Sequence, residues 1–342
     1  CRVSLREAEA YNDRALAYFR MGRVYEERGD ADAAAGTYET AVREFPRSPH
    51  AHEALKRGRD ISRAFTDRYS QGLVLYNRRL YSDAAEFFSW YLRHDDKLAH
   101  SHEASYFLGR SHQRLGNFRT AASAYEEAVE WGPDAEYFDL AWSKLAYCHR
   151  ALGHRDRSLA TYDRYVELYP DREAASELLW EKGRFLEEKK RLDEAIGSYG
   201  DLVRLRPRSS RAEDAMFRSG LCLYKLGRHE AAESLFASAG LTAEGEGAAR
   251  ALFWAGKCRE AQRGFGDAAD RYAEAVLAAP DTYYGIRAGA RLRERSLPTP
   301  VRLPSSAGGP GVMRGVQPHG DTGGESRHSV WSSDALEFAS WL

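Results

Sequence analysis

A spacing of 37 residues recurs through the middle of this chain and constrains its fold more than any other feature. Small residues stand at Gly109, Ala146, Gly183, Gly220 and Gly256, at steps of 37, 37, 37 and 36. Prolines at Pro133, Pro170 and Pro207 keep the same step, and Pro280 closes the series. Each unit has one pattern, as in YFLGRSHQRLGNFRTAASAYEEAVEWGP: an apolar helix, a turn at Leu115-Gly116, then a second helix with Ala121, Tyr125 and Ala128 on one face. One helix hairpin cannot bury such a face alone, so hairpins must stack, each covering its neighbour. The small residues let helix axes approach to roughly 8–10 Å. The aromatic of the second helix is expected to fill the gap between repeats, and proline to end that helix. The dipeptides Pro133-Asp134, Pro170-Asp171 and Pro280-Asp281 predict aspartate caps on the helices that follow.

These residues resemble the tetratricopeptide repeat. The first unit matches through Met21-Gly22, Tyr25, Gly29, Ala34, Tyr38, Ala41 and Pro46. The fourth supplies Trp142, Leu145, Gly153, Tyr162 and Pro170, with Tyr165 where the family prefers alanine. The second, around Gly72, Ala84 and Phe88, lies 50 residues after the first and has Asp96 where proline is expected. The resemblance implies an all-α fold, a right-handed α-α superhelix of about seven helix hairpins, between about residues 13 and 280 of a domain spanning 1–295.

With 50 basic and 51 acidic residues the formal net charge is −1, which gives no global argument for nucleic acid or an anionic membrane surface. No apolar run approaches the roughly 18 residues of a membrane span. Cys148, Cys222 and Cys258 share one register, two residues after the small residue of a first helix, and are expected as separate core fillers. The clusters His50 to Glu53 and His100 to Glu103 occupy matching places in units one and two and are expected as solvated helix starts. No metal site, cofactor or catalytic motif is predicted.

The functional expectation rests on the first helices. Arg23, Arg110, Arg184 and Lys257 follow the small residue in four units, and Phe19, Tyr106, Trp180 and Phe253 stand four residues before them, on the same helical face. In the family these positions line a concave groove, so the resemblance implies a ladder of rings and cations that would hold a protein segment or a glycan strand. The alternative is that the rings pack between helices and the cations are merely solvated.

After the last full unit, APDTYYGIRAGARL places Gly285, Ala288, Gly289 and Leu292 on one stripe of a helix predicted to be capped at Asp281. Glycine costs about 1 kcal/mol in a helix interior, so close approach of another helix is expected there. Phe253, Trp254, Gly256, Lys257, Ala268, Tyr272, Tyr283, Tyr284 and Gly285 together resemble the end of the superhelical domain of soluble lytic transglycosylases. That resemblance implies a non-catalytic arm in peptidoglycan processing, in the bacterial periplasm or cell envelope. The family's Glu-Ser helix with Gly-Leu-Met-Gln does not occur, and Glu325-Ser326 sits in a glycine-rich stretch. The rival expectation is a repeat adaptor, cytoplasmic or an outer-membrane lipoprotein. Residues 296–329, rich in Gly, Pro and Ser, predict a flexible linker, followed by a short helix at 330–342. Cys1 is expected to be either an arbitrary boundary or the acylated residue of a lipoprotein, the one route to a membrane.

Overall fold

The computed structural model describes residues 2–61, 67–94 and 99–294. Cys1, Asp96, the predicted linker 296–329 and the segment 330–342 lie outside the described residues. The chain divides into the units Cys1–Pro300 and Val301–Leu342, and all that follows concerns the first.

The described residues form sixteen α-helices and no strand. Seven hairpins pair α1 (Arg2–Glu27) with α2 (Ala31–Glu44), α4 (Arg68–Asn77) with α5 (Tyr81–His94), α6 (Ser101–Arg114) with α7 (Phe118–Glu130), α8 (Phe138–Ala151) with α9 (Arg155–Leu168), α10 (Ala174–Glu188) with α11 (Leu192–Leu205), α12 (Ser210–Lys225) with α13 (His229–Thr242), and α14 (Gly245–Ala261) with α15 (Phe265–Ala278). Two helices stand outside this pairing, α3 (Pro49–Ile61) after the first hairpin and α16 (Tyr283–Glu294) after the last. The 13 residues of α3, packed on α1 and α2, account for the 50-residue step between units one and two. This is the all-α repeat superhelix expected. No described helix is long and apolar enough to cross a membrane.

One contact recurs at the centre of the hairpins. The ring sixteen residues after the small residue lies flat against it: Tyr38 on Gly22, Phe88 on Gly72, Tyr125 on Gly109, Tyr199 on Gly183, Phe236 on Gly220 and Tyr272 on Gly256. A β-carbon at these glycines would lie 2.4–2.7 Å from the ring, inside van der Waals contact. The aromatic of the second helix, expected from the sequence to fill the gap between repeats, therefore sits within its own hairpin, against the first-helix glycine. Three of these rings are tied by their hydroxyl to the first helix, four residues past the glycine: Tyr38 donates to Glu26 (2.7 Å), Tyr125 to Gln113 (2.7 Å) and Tyr199 to Glu187 (3.2 Å).

The turns inside the hairpins are equally uniform. Seven residues after the small residue, every hairpin enters the left-handed region: Gly29, Gly116, Gly153 and Gly227, but also Arg79, Lys190 and Arg263 at φ 64°, 59° and 61°. The next amide closes back to the carbonyl five residues earlier, as Asp30 does on Tyr25 and Arg191 on Leu186, both at about 3 Å. This is the Schellman closure, which satisfies carbonyls left open at a helix end. A side chain in this conformation costs roughly 1–2 kcal/mol, partly offset by the greater backbone entropy a glycine loses on folding. Lys190 is exposed, so Lys190→Gly is expected to raise stability by about 0.5–1 kcal/mol. A thermal melt followed by circular dichroism that shows no rise would count against it.

The predicted aspartate caps are corrected. Pro133-Asp134, Pro170-Asp171 and Pro280-Asp281 lie in turns, and the helices begin later, after Tyr137, Glu173 and Thr282. For α16 the cap is Thr282, whose Oγ1 accepts from the Gly285 amide at 3.4 Å. Side-chain caps from aspartate do occur, at Asp30 on α2 and Asp67 on α4. Cys148, Cys222 and Cys258 are buried free thiols, each pushed up to about 12 by burial, as core fillers should be.

Candidate functional site

The ring three residues before the small residue recurs in six hairpins: Phe19, Tyr69, Tyr106, Trp180, Phe217 and Phe253. Each packs on its hairpin's central ring at centroid separations of 5.4–6.2 Å. Each also meets a side chain delivered by the element after its own hairpin. Phe19 meets His50, Tyr69 stacks on His100 (4.4 Å, 5°), Tyr106 stacks on Tyr137 (4.5 Å, 8°), and Phe253 meets Tyr284 (5.7 Å). Arg211 and Arg250 lie over Trp180 and Phe217, at 5.1 and 4.2 Å from the ring centroids. Arg211 is also paired with Glu177 (2.8 Å) and Arg250 with Asp214 (3.2 Å), so each guanidinium is held over its ring by a carboxylate.

The predicted rings Phe19, Tyr106, Trp180 and Phe253 are thus joints between successive hairpins. Tyr106 and Phe253 are buried, Phe19 and Trp180 half-buried. His50 and His100 gain a role beyond that of solvated helix starts, since they supply the stacking partner in units one and two; His100 also bonds Glu103 through Nδ1 at 2.6 Å. The predicted cations are distributed unevenly. Arg23 is exposed and paired with Glu27 (3.2 Å). The Arg110 Nε donates to the Tyr76 hydroxyl of the preceding hairpin (3.3 Å). Lys257 lies 3.7 Å from Glu260. Arg184 lies over Trp180 at 6.0 Å. Each cation shares a helix with its own ring, and successive cations stand two hairpins apart, separated by Leu73, Tyr147 and Leu221 at the same register.

Reasoning from sequence missed Tyr69 and Phe217, which occupy the ring position but precede leucine where the other units have a cation. It also missed the partner side chains. Their signal was present: His50, His100, Tyr137, Arg211 and Tyr284 each follow their ring by 31 residues, and Arg250 follows Phe217 by 33.

The fourth hairpin breaks the pattern. It has Ser143 at the ring position, Ala146 for glycine, and Arg150 where other units place an acceptor for tyrosine. Glu181 of the next hairpin fills the vacancy, accepting from Ser143 Oγ at 3.0 and 3.1 Å and from the Tyr162 hydroxyl at 3.3 Å. Tyr165, where alanine was expected, bonds Asp139 at 2.5 Å, and Arg172 grips the same carboxylate through two bonds of 2.8 and 2.9 Å.

Stacked helix hairpins joined ring to partner in this way define a repeat scaffold, the class of protein that presents an extended surface. Tetratricopeptide repeat profiles match residues 16–48 and, in overlapping copies, 69–136, 106–173, 143–210 and 199–245. The chain belongs to the tetratricopeptide repeat family. Among solved structures it is similar to BtubC from P. vanneervenii, at 16% identity over 73% of this chain and 99% of that one, with a TM-score of 0.43. It is similar to the C-terminal part of a repeat protein from Cytophaga hutchinsonii, at 15% identity over 66% and 82%, with a TM-score of 0.45. YrrB, described as a repeat protein with an unusual peptide-binding site, is similar at 17% identity over 60% and 98%, with a TM-score of 0.40. No curated protein matches the chain in sequence.

Proposed function

We propose that this chain is a scaffold that holds an extended protein segment along the first helices of its hairpins. The observation that carries this reading is the placement of Arg23, Arg110, Arg184 and Lys257 at one register of alternate hairpins, on helices whose rings are locked by stacking. Cations at a regular sequence step on firmly packed helices suit a segment with spaced carboxylates, because the helices that carry them need not reorganise on binding. YrrB, with its peptide-binding site, is consistent with this use of the fold.

A narrower reading is favoured by α14 to α16. Phe253 and Trp254, followed by Tyr283, Tyr284 and Gly285, resemble the end of the superhelical arm of soluble lytic transglycosylases. On that reading the chain serves peptidoglycan processing in a bacterial cell envelope, with a glycan strand on the same surface and catalysis supplied by residues outside this sequence.

One experiment addresses both. The triple variant Arg110→Ala, Arg184→Ala, Lys257→Ala is expected to weaken capture of an extended acidic peptide without large apolar residues at least tenfold, with little change in melting temperature. Unchanged affinity would sink the scaffold reading. Affinity for purified peptidoglycan glycan strands that falls in the same variant, with the acidic peptide unaffected, would select the narrower one.

A further inference from the structure

A second charged surface lies at the junction of the fourth and fifth hairpins, on the edge formed by their internal turns. A cleft of about 850 Å3 opens there, lined by Arg155, Asp156, Arg157, Phe185, Lys189 and Arg191 among others. This volume lies in the upper part of the range of sites that hold small ligands, roughly 300–1,000 Å3.

The arginines are peculiar to this hairpin. Second helices elsewhere begin with Ala31 and Ala33, Tyr81 and Asp83, Phe118 and Thr120, Leu192 and Glu194, His229 and Ala231, or Phe265 and Asp267 at the equivalent two positions. Only α9 carries two cations, Arg155 and Arg157, in its first turn. A helix N-terminus favours negative charge, so each cation there is locally unfavourable. Both arginines are exposed, and among the described residues no carboxylate forms an ion pair with either. Their position is not explained by folding.

The rest of the cleft adds to the imbalance. Arg150, which does not itself line the cleft, lies over the Tyr147 ring (5.3 Å) and over Phe185, which does (5.6 Å). Lys189 lies over the same Phe185 at 5.7 Å and is paired with Glu188 at 2.5 Å. Arg191 is held by Glu194 through two bonds of 2.6 Å. Four cations, Arg155, Arg157, Lys189 and Arg191, and one carboxylate, Asp156, therefore line the cleft beside Phe185 and Leu186, with Glu188 and Glu194 next to it as partners of Lys189 and Arg191.

We infer that this cleft binds an acidic peptide segment, its carboxylates on Arg155 and Arg157 and an apolar side chain against Phe185. A continuous phosphate chain fits less well, because Asp156, Glu188 and Glu194 would repel it, whereas a peptide can space its charges around them. The site uses none of residues 23, 110, 184 and 257, so it stands or falls apart from the first-helix surface.

The test uses the whole chain and a fluorescein-labelled decapeptide of Glu and Asp with one central Phe, followed by fluorescence anisotropy. Measured in the background of the triple variant at 110, 184 and 257, where the first-helix surface is silenced, the added changes Arg155→Glu and Arg157→Glu are expected to weaken binding at least tenfold, equivalent to about 1.4 kcal/mol or more. The triple variant at 110, 184 and 257 is expected to retain mutation-sensitive binding at the cleft. The double variant at 155 and 157 should melt no lower than the parent, since it removes charge that opposes the helix dipole. Equal affinity of the triple variant with and without the changes at 155 and 157 would overturn the site. An oligonucleotide of equal charge that binds more tightly than the peptide, and is lost in the same variant, would overturn the peptide assignment.

Discussion

Glu187→Ala is expected to destabilise the protein by about 3 kcal/mol, measured as a shift of the urea midpoint by circular dichroism. The Glu187 side chain is only 9% exposed and accepts from three groups: the Tyr199 hydroxyl of its own hairpin (3.2 Å), and Arg218 (3.4 Å) and Lys225 (3.0 Å) of the next. Arg218 is itself 8% exposed, so truncation strands a buried guanidinium without this carboxylate. Breaking a buried pair from one side costs about 3–5 kcal/mol. In a stack of repeats that loss falls on the interface between two neighbours, so the unfolding transition should also broaden. Glu187→Gln keeps an acceptor for Tyr199 and should cost less than Ala. A loss below that of a surface substitution, about 0.5 kcal/mol, would show that the pair contributes nothing net.

The second large effect is expected at Gly285. A methyl group there would stand 1.9 Å from the Ala279 carbonyl oxygen and 2.8 Å from its carbon. Both belong to the backbone of the preceding turn, which has no rotamer to relieve the clash, so Gly285→Ala should cost about 3 kcal/mol, at or above the top of the usual overpacking range. Because α16 buries Leu292 and sets Tyr284 against Phe253, the damage should be local. Faster amide hydrogen exchange across α14 and α16 is the expected readout. Gly289 is different. A methyl group there would stand 3.5 Å from the Arg293 side chain and 3.8 Å from Val276, ordinary contact. Gly289→Ala should therefore be neutral or stabilising by up to about 1 kcal/mol. Equal damage at both positions would contradict this account. The two glycines of this helix thus differ: a close approach to a turn at one, and a buried position with room for a methyl group at the other. The stripe is buried against α14 and α15 as expected, but only at Gly285 is the approach too close for a side chain, and there the neighbour is the backbone of a turn.

Much of the hairpin was legible in the sequence. The 37-residue step, the small residue and the ring sixteen later, the burial of the three cysteines and the stripe of α16 all follow from helical periodicity, which is a local property. The extra helix α3 was visible only as an anomalous 50-residue step. Aspartate caps were misplaced because Pro-Asp can either cap a helix or turn a chain, and local chemistry does not separate the two.

The candidate site was legible by half. Sequence spacing identified the cations and four of six rings, since both lie on one helix face. It did not determine that each ring would be closed by a side chain 31 or 33 residues on, or that Glu181 would enter the fourth hairpin. Nor did it determine that Arg155 and Arg157 would flank Phe185 of the neighbouring repeat. Those contacts join residues on different hairpins, and their geometry is set by how one hairpin is rotated and shifted against the next. Periodicity within a helix carries the first kind of information because 3.6 residues per turn fixes which side chains share a face. The angle between stacked hairpins is the sum of many small packing choices, and only the assembled tertiary structure decides it.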